Sequence, residues 1–178
     1  MADELDNPNP VVYSSETGNH AEKEEHNVVS LADLVTDDEG SEPDEFDASE
    51  VFEILRNLAD PEHPYTLEQL KVIEKSKITV DNDRQSILVQ FTPTIPHCSQ
   101  ATLIGLMIRV KLIHCLPSRF KVDIQISPGS HNSELALNKQ LNDKERVAAA
   151  LENSKLLSVV NKGIASTDNW ESIVLSEA

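Results

Sequence analysis

Apolar and polar residues repeat along this chain in a few distinct periods, and the period changes at prolines and acidic turns. Phe46, Val51, Ile54, Leu55 and Leu58 recur at helical spacing, with Asp47 or Ser49 placed to cap the start. Asp60-Pro61-Glu62-His63-Pro64 ends that helix, because two prolines forbid helical continuation and favour an extended turn. Thr66–Leu70 has the length of a one-turn helix. Val72, Glu74, Ser76, Ile78 and Val80 then alternate up to Asp81-Asn82-Asp83, and Ile87, Val89 and Phe91 alternate beyond it. Two such runs about an Asp/Asn turn predict a β-hairpin.

The stretch from Cys98 to Leu116 is apolar on most faces, which predicts a helix buried in the core. After Leu116-Pro117-Ser118, the residues Phe120, Val122, Ile124 and Ile126 alternate with polar ones as a third strand, ended by Pro128-Gly129. A helix between two strands supplies the crossover that a parallel neighbour requires. Lys144 to Leu151 is helical, with Asn142 and Glu145 at capping-box spacing, and a shorter helix follows from Leu156 to Ile164. The fold class is α+β: a two-layer domain over residues 46–164, with a three-stranded mixed sheet and helices mainly on one face. A disordered acidic tail, 1–45, precedes it, and a flexible end, 165–178, follows.

Charge sharpens that division. The formal charge of −16 is concentrated at the start: residues 1–50 hold sixteen acids against Lys23 alone, and the remaining fifteen acids meet fourteen bases. A segment so charged and so poor in aromatics cannot bury enough apolar surface to offset the entropy of ordering. One stretch within it, Val28–Val35, has the apolar spacing of a helix that folds on a partner. A nearly neutral domain beside a negative tail argues against direct nucleic-acid binding. The most apolar run, Ala101 to Met107, is cut short by Arg109 and Lys111, so no membrane span is expected. Two cysteines, Cys98 and Cys115, give no disulfide framework and suit the cytosol or nucleus.

Cys98 carries the most chemistry. Placed at the start of the buried helix, its sulfur would meet unpaired N–H groups at the positive end of the dipole, which favours the thiolate as nucleophile and metal ligand. His97, Ser99 and His131 form its expected surroundings. The alternative is that Cys98 is a small buried hydrophobe. Cys115 lies seventeen residues further on, roughly 25 Å along one helix, so the two thiols would not share a metal within one chain. Cys115 reads as structural. His63 sits in a rigid Pro-flanked turn, and Asp60, Pro61, Glu62, His63 and Pro64 are candidates for docking a partner. No HExxH pair, phosphate-cradling glycine loop or GxSxG elbow occurs.

These residues also carry a resemblance. Asn7-Pro8-Asn9-Pro10-Val11-Val12-Tyr13, Asp60 to Glu68, Phe91-Thr92-Pro93-Thr94-Ile95-Pro96-His97-Cys98-Ser99, Ala101 to Leu106, Leu116 to Val122 and Asn138 to Asn153 together resemble component 2 of the cytosolic iron–sulfur assembly targeting complex. The resemblance implies a non-enzymatic adaptor that partners a WD40 propeller and a HEAT-repeat scaffold. Such an assembly delivers clusters to cytosolic and nuclear apoproteins, many of them acting in DNA replication and repair. It implies that Cys98 is the reactive thiol. The mechanism expected from this is a homodimer that presents Cys98 as a transient metal ligand, with no cofactor stably bound although an iron–sulfur cluster can pass through. Two positions depart from the family pattern: Gln100 where methionine is usual, and Cys115 where a small polar residue is usual. Two other functions stay open: a pure scaffold in which Cys98 only packs, and a thiol enzyme pairing Cys98 with His97 or His131.

Overall fold

The computed structural model describes residues 7–15, 45–97 and 100–165. Cys98 and Ser99, the Val28–Val35 stretch and the end from Ser166 lie outside these. Eight elements follow in order: α1 (Ala48–Arg56), β1 (Ile73–Asp81), β2 (Ser86–Phe91), α2 (Ala101–Cys115), β3 (Lys121–Ile126), α3 (Glu134–Asn142), α4 (Lys144–Glu152) and α5 (Ser154–Ala165). The expected α+β class is found: one three-stranded mixed sheet, in the order β1-β2-β3, with helices against it.

Helix α1 starts as its sequence dictates. Asp47 accepts from the N–H of Glu50, and the Glu50 carboxylate reaches back to the N–H of Asp47, a complete capping box. Its apolar stripe, Val51, Phe52 and Leu55, is buried against β1 and α2. β2 and β3 pair in parallel, with Ile87 opposite Val122, Val89 opposite Ile124 and Phe91 opposite Ile126. All six side chains point into the core, as the alternation predicts. Helix α2 makes the crossover between these strands and is buried nearly all round, Arg109 and Lys111 included.

Several expectations need correction. Simple alternation fails on β1. Ile73 pairs with Phe91 and Ile78 with Val89, so five residues of β1 advance against two of β2. The irregularity puts Ile73 and Ile78, which a regular strand would send to opposite faces, both into the core. Thr66–Leu70 forms turns rather than a helix, with one helical bond, from Leu70 N–H to Thr66 O at 3.1 Å.

Helix α2 begins at Ala101, with Gln100 in the cap position, three residues after the start expected at Cys98. Cys115, expected to be structural, ends α2 exposed to solvent. Asn142 does not cap α4. Asp143 does, accepting from the N–H groups of Glu145 and Arg146.

The element that the sequence pattern missed is α3. It lies along the outer edge of β3 and supplies amides in place of a further strand. Asn138 Oδ1 accepts from Ile126 N–H (2.7 Å), and Asn142 both accepts from Ile124 N–H (3.0 Å) and donates to Ile124 O (2.8 Å). Residues four apart on a helix lie on one face, which is why both amides reach the same edge.

The start of the chain differs from the disordered tail expected through residue 45. Residues 7–15 run against the domain, held by bonds to the Asp60–Leu70 stretch.

Candidate functional site

Two places concentrate the singled-out residues. The first is the loop that leaves β2. Thr92 N–H donates to Val72 O at 2.8 Å, and its hydroxyl lies 2.9 Å from Ser127 Oγ and accepts from Lys77 Nζ at 2.8 Å. Pro93 is buried, so the loop is fixed at its root. It then rises to exposed His97. The turn after β3 meets it there: Asn132 N–H donates to Pro96 O at 2.9 Å.

That bond sets the turn carrying His131 beside the loop that carries His97 and leads into Cys98. The turn is itself well fixed. Ser127 O accepts from Ser130 Oγ (2.6 Å), Gly129 takes the left-handed conformation (φ 76°), and its N–H donates to Glu134 Oε2 (2.7 Å). His131 is half-buried, and its Nδ1 accepts from Ser133 N–H at 3.0 Å, so one ring nitrogen serves the turn. Across the loop, α2 starts without a side-chain cap from Gln100 and without an acidic residue in its first turn. The helix's own first turn thus brings no carboxylate against the positive end of its dipole.

The second place is the Asp60–Pro64 turn. It is the tip of a small hairpin closed by Asp60 N–H to Tyr65 O (2.9 Å) and Leu67 N–H to Leu58 O (2.9 Å). Asp60 and His63 are buried inside it, Pro61 and Glu62 are half-buried, and Pro64 is exposed. Asp60 Oδ1 accepts from the N–H of Glu62 and of His63 and from His63 Nδ1. Behind the turn, buried Arg56 grips buried Glu68 through two bonds, Nε to Oε2 at 3.0 Å and NH2 to Oε1 at 2.8 Å, and also reaches Glu53. Burial works against the Arg56 cation, but Glu68 and Glu53 hold its pKa above the usual value. Pattern reading did not find this pair, since neither spacing nor periodicity couples a helix end to a loop twelve residues on.

Among the described residues no group of three or more His, Cys, Asp and Glu side chains is arranged to hold a metal ion. No described helix is long and apolar enough to cross a membrane.

A family model described as iron–sulfur cluster assembly protein matches residues 48–126, from α1 to the end of β3. Full-length likeness reaches further. The MIP18 family protein galla-2 of Drosophila melanogaster is 51% identical over 168 residues, covering 93% of this chain and 99% of that protein. Cytosolic iron-sulfur assembly component 2B of Mus musculus is 51% identical over 164 residues, covering 91% and 92%. The protein of the same name in Dictyostelium discoideum is 49% identical over 161 residues, covering 89% and 97%. Likeness of this extent takes in α3–α5 as well as the sheet, and the chain belongs to the cytosolic iron–sulfur assembly component 2B, or MIP18, family.

Proposed function

We propose that this protein is a non-enzymatic adaptor of cytosolic iron–sulfur assembly, and that Cys98 is its working thiol. The observation that carries the reading is identity near one half with relatives named for cytosolic iron–sulfur assembly, over about nine-tenths of the chain. The adaptor joins a WD40 propeller and a HEAT-repeat scaffold, acts as a homodimer in cytoplasm and nucleus, and passes clusters to apoprotein clients. The cluster is cargo, held transiently at Cys98 or completed there by ligands of a donor or client.

The surroundings of the Cys98 position support a reactive thiol. It stands in sequence between exposed His97 and an α2 start that lacks acidic residues, and such a start favours thiolate over thiol. The His131 turn is tied to the same loop through Pro96. At the second place, Pro64 at the exposed tip of the Asp60–Pro64 turn offers a rigid surface to a partner, with Asp60 and His63 shaping it from within.

The test replaces Cys98 with serine in cells and follows iron incorporation into a cytosolic iron–sulfur client. Loss of client maturation, with the variant folded and still bound to both partners, is the expected result. Normal maturation by that variant would make the protein a scaffold in which Cys98 only packs. Turnover of a substrate by the isolated chain would overturn the non-enzymatic reading.

A further inference from the structure

Both ring nitrogens of His63 face acceptors. Nδ1 lies 3.1 Å from Asp60 Oδ1, and Nε2 lies 2.6 Å from the carbonyl oxygen of Asn7. An ionised carboxylate and a carbonyl only accept, so both bonds exist together only when both nitrogens carry hydrogen. That is the imidazolium. His63 and Asp60 are both buried, so solvent does not stand in easily for a lost partner.

The contact is one end of a two-point attachment. Next to it, Asn7 N–H donates to Glu62 Oε1 at 3.3 Å. At the far end, Tyr13 N–H donates to Gln69 O at 2.8 Å, and the Lys71 ammonium stands 4.1 Å from the centre of the Tyr13 ring. Residues 7–15 carry no charge, in contrast to the acids on both sides of them. Between the two anchors Val11 and Val12 stand exposed, and Tyr13 continues them as a third exposed apolar side chain.

We propose that the His63 imidazolium latches residues 7–15 onto the domain, so that the apolar ridge of Val11, Val12 and Tyr13 joins the domain surface in a pH-dependent way. The charged groups acting on His63 are Asp60 and Glu62 of its own turn, while the attached segment brings the Asn7 carbonyl and α5 meets the turn by Gly163 O accepting from Ala59 N–H. Burial disfavours the charged ring, yet the Asn7 carbonyl and the Asp60 and Glu62 carboxylates outweigh it and raise the pKa above the ordinary 6.5. A raised folded-state pKa means the latch is fully closed below about 6.5 and opens as pH rises through the folded value. This inference does not depend on the role of Cys98.

Hydrogen exchange in the full-length protein tests it, read as the protection factor of the Tyr13 amide so that intrinsic exchange chemistry is divided out. From pH 6 to pH 9 the protection should fall about tenfold or more, the scale of one lost charge-assisted hydrogen bond. In His63→Gln it should be low at both pH values. Protection at Tyr13 that ignores pH in the unaltered protein would overturn the latch. If the variant does not fold, the ring resonances of His63 in the unaltered protein decide alone: titration at or below 6.5 overturns the proposal, and titration in step with the Val12 and Tyr13 resonances supports it.

Discussion

Asn142 hydrogen-bonds Ile124 at both its N–H and its C=O, so that one side-chain amide stands where the peptide group of a fourth strand would be. Its Oδ1 also lies 3.4 Å from NH1 of buried Arg109, and its Nδ2 donates to Asn138 O one turn earlier in α3. The amide thus joins the sheet edge, the crossover helix and α3 at a single point.

Removing that amide should destabilise the domain well beyond a surface substitution. Asn142→Ala leaves the N–H and C=O of Ile124 without their partner at a half-buried site, at a cost of about 1–3 kcal/mol. Asn142→Asp keeps an acceptor for Ile124 N–H but sets a carboxylate oxygen against Ile124 O, so it should recover little at neutral pH. Urea denaturation checks both. A change within about 0.5 kcal/mol for Asn142→Ala, the range of ordinary surface changes, would mean that water replaces the amide without loss.

Arg56 and Glu68 should behave as one unit. Each is buried, and the pair ties the end of α1 to the loop after the Asp60–Pro64 turn. Glu68→Leu takes from Arg56 the carboxylate buried with it and leaves the cation the more exposed Glu53, so this change should destabilise clearly but by less than the about 3–5 kcal/mol of a fully stranded charge. Arg56→Met together with Glu68→Leu should cost much less than the sum of the single changes, because no isolated charge remains. Additive losses in a double-mutant cycle of denaturation midpoints would show that the two residues act separately.

Cys115 should be readily modified without consequence for the fold. It is exposed at the end of α2, and Ile113 and His114 beside it are exposed as well. Alkylation of the native protein should therefore reach Cys115, and Cys115→Ser should stay within about 0.5 kcal/mol of the unaltered stability. Peptide mass spectrometry that reads Cys98 and Cys115 separately, across a pH series, gives the comparison. Resistance of Cys115 to label until the protein unfolds would contradict its exposure.

These contacts show where pattern reading succeeds and where it stops. α1, β2 and β3 were legible because their apolar residues keep one period from end to end, α2 because it is apolar on most faces over a length no strand has, and the ends carry strong signals, such as the Asp47 cap and Pro117. β1 was found, but the side of Ile73 was not, since a bulge inserts residues without leaving a compositional mark. α3 was missed because it buries only Leu141 fully while Leu135 points to solvent, so its apolar stripe is too thin to read. Its purpose lies in two asparagines bonded to a strand, and no period reports that. At the site, the sequence singled out His63 and its turn without showing that the ring would bind Asn7, a residue fifty-six positions away. Long-range polar partners are fixed by the fold, and one chain read alone does not announce them.

Gly105 supplies a prediction whose sign depends on packing. In an open helix interior, replacing glycine with alanine stabilises by about 1 kcal/mol. Here a Cβ on Gly105 would lie 2.5 and 2.6 Å from the two methyl carbons of Leu141, far inside van der Waals contact. Leu141 is almost fully buried between α2 and α3, so its methyl groups have little room to retreat. Overpacking of this kind costs about 1–3 kcal/mol, which should exceed the helical gain and leave Gly105→Ala less stable than the unaltered protein. The cause can be isolated by adding Leu141→Ala, which removes the clashing methyls. Gly105→Ala should then be neutral or stabilising in the Leu141→Ala background, although Leu141→Ala alone costs about 2–5 kcal/mol as a buried truncation. Thermal unfolding of the four proteins gives the cycle. If Gly105→Ala stabilises the domain with Leu141 intact, α3 shifts away from α2 more easily than its buried contact implies.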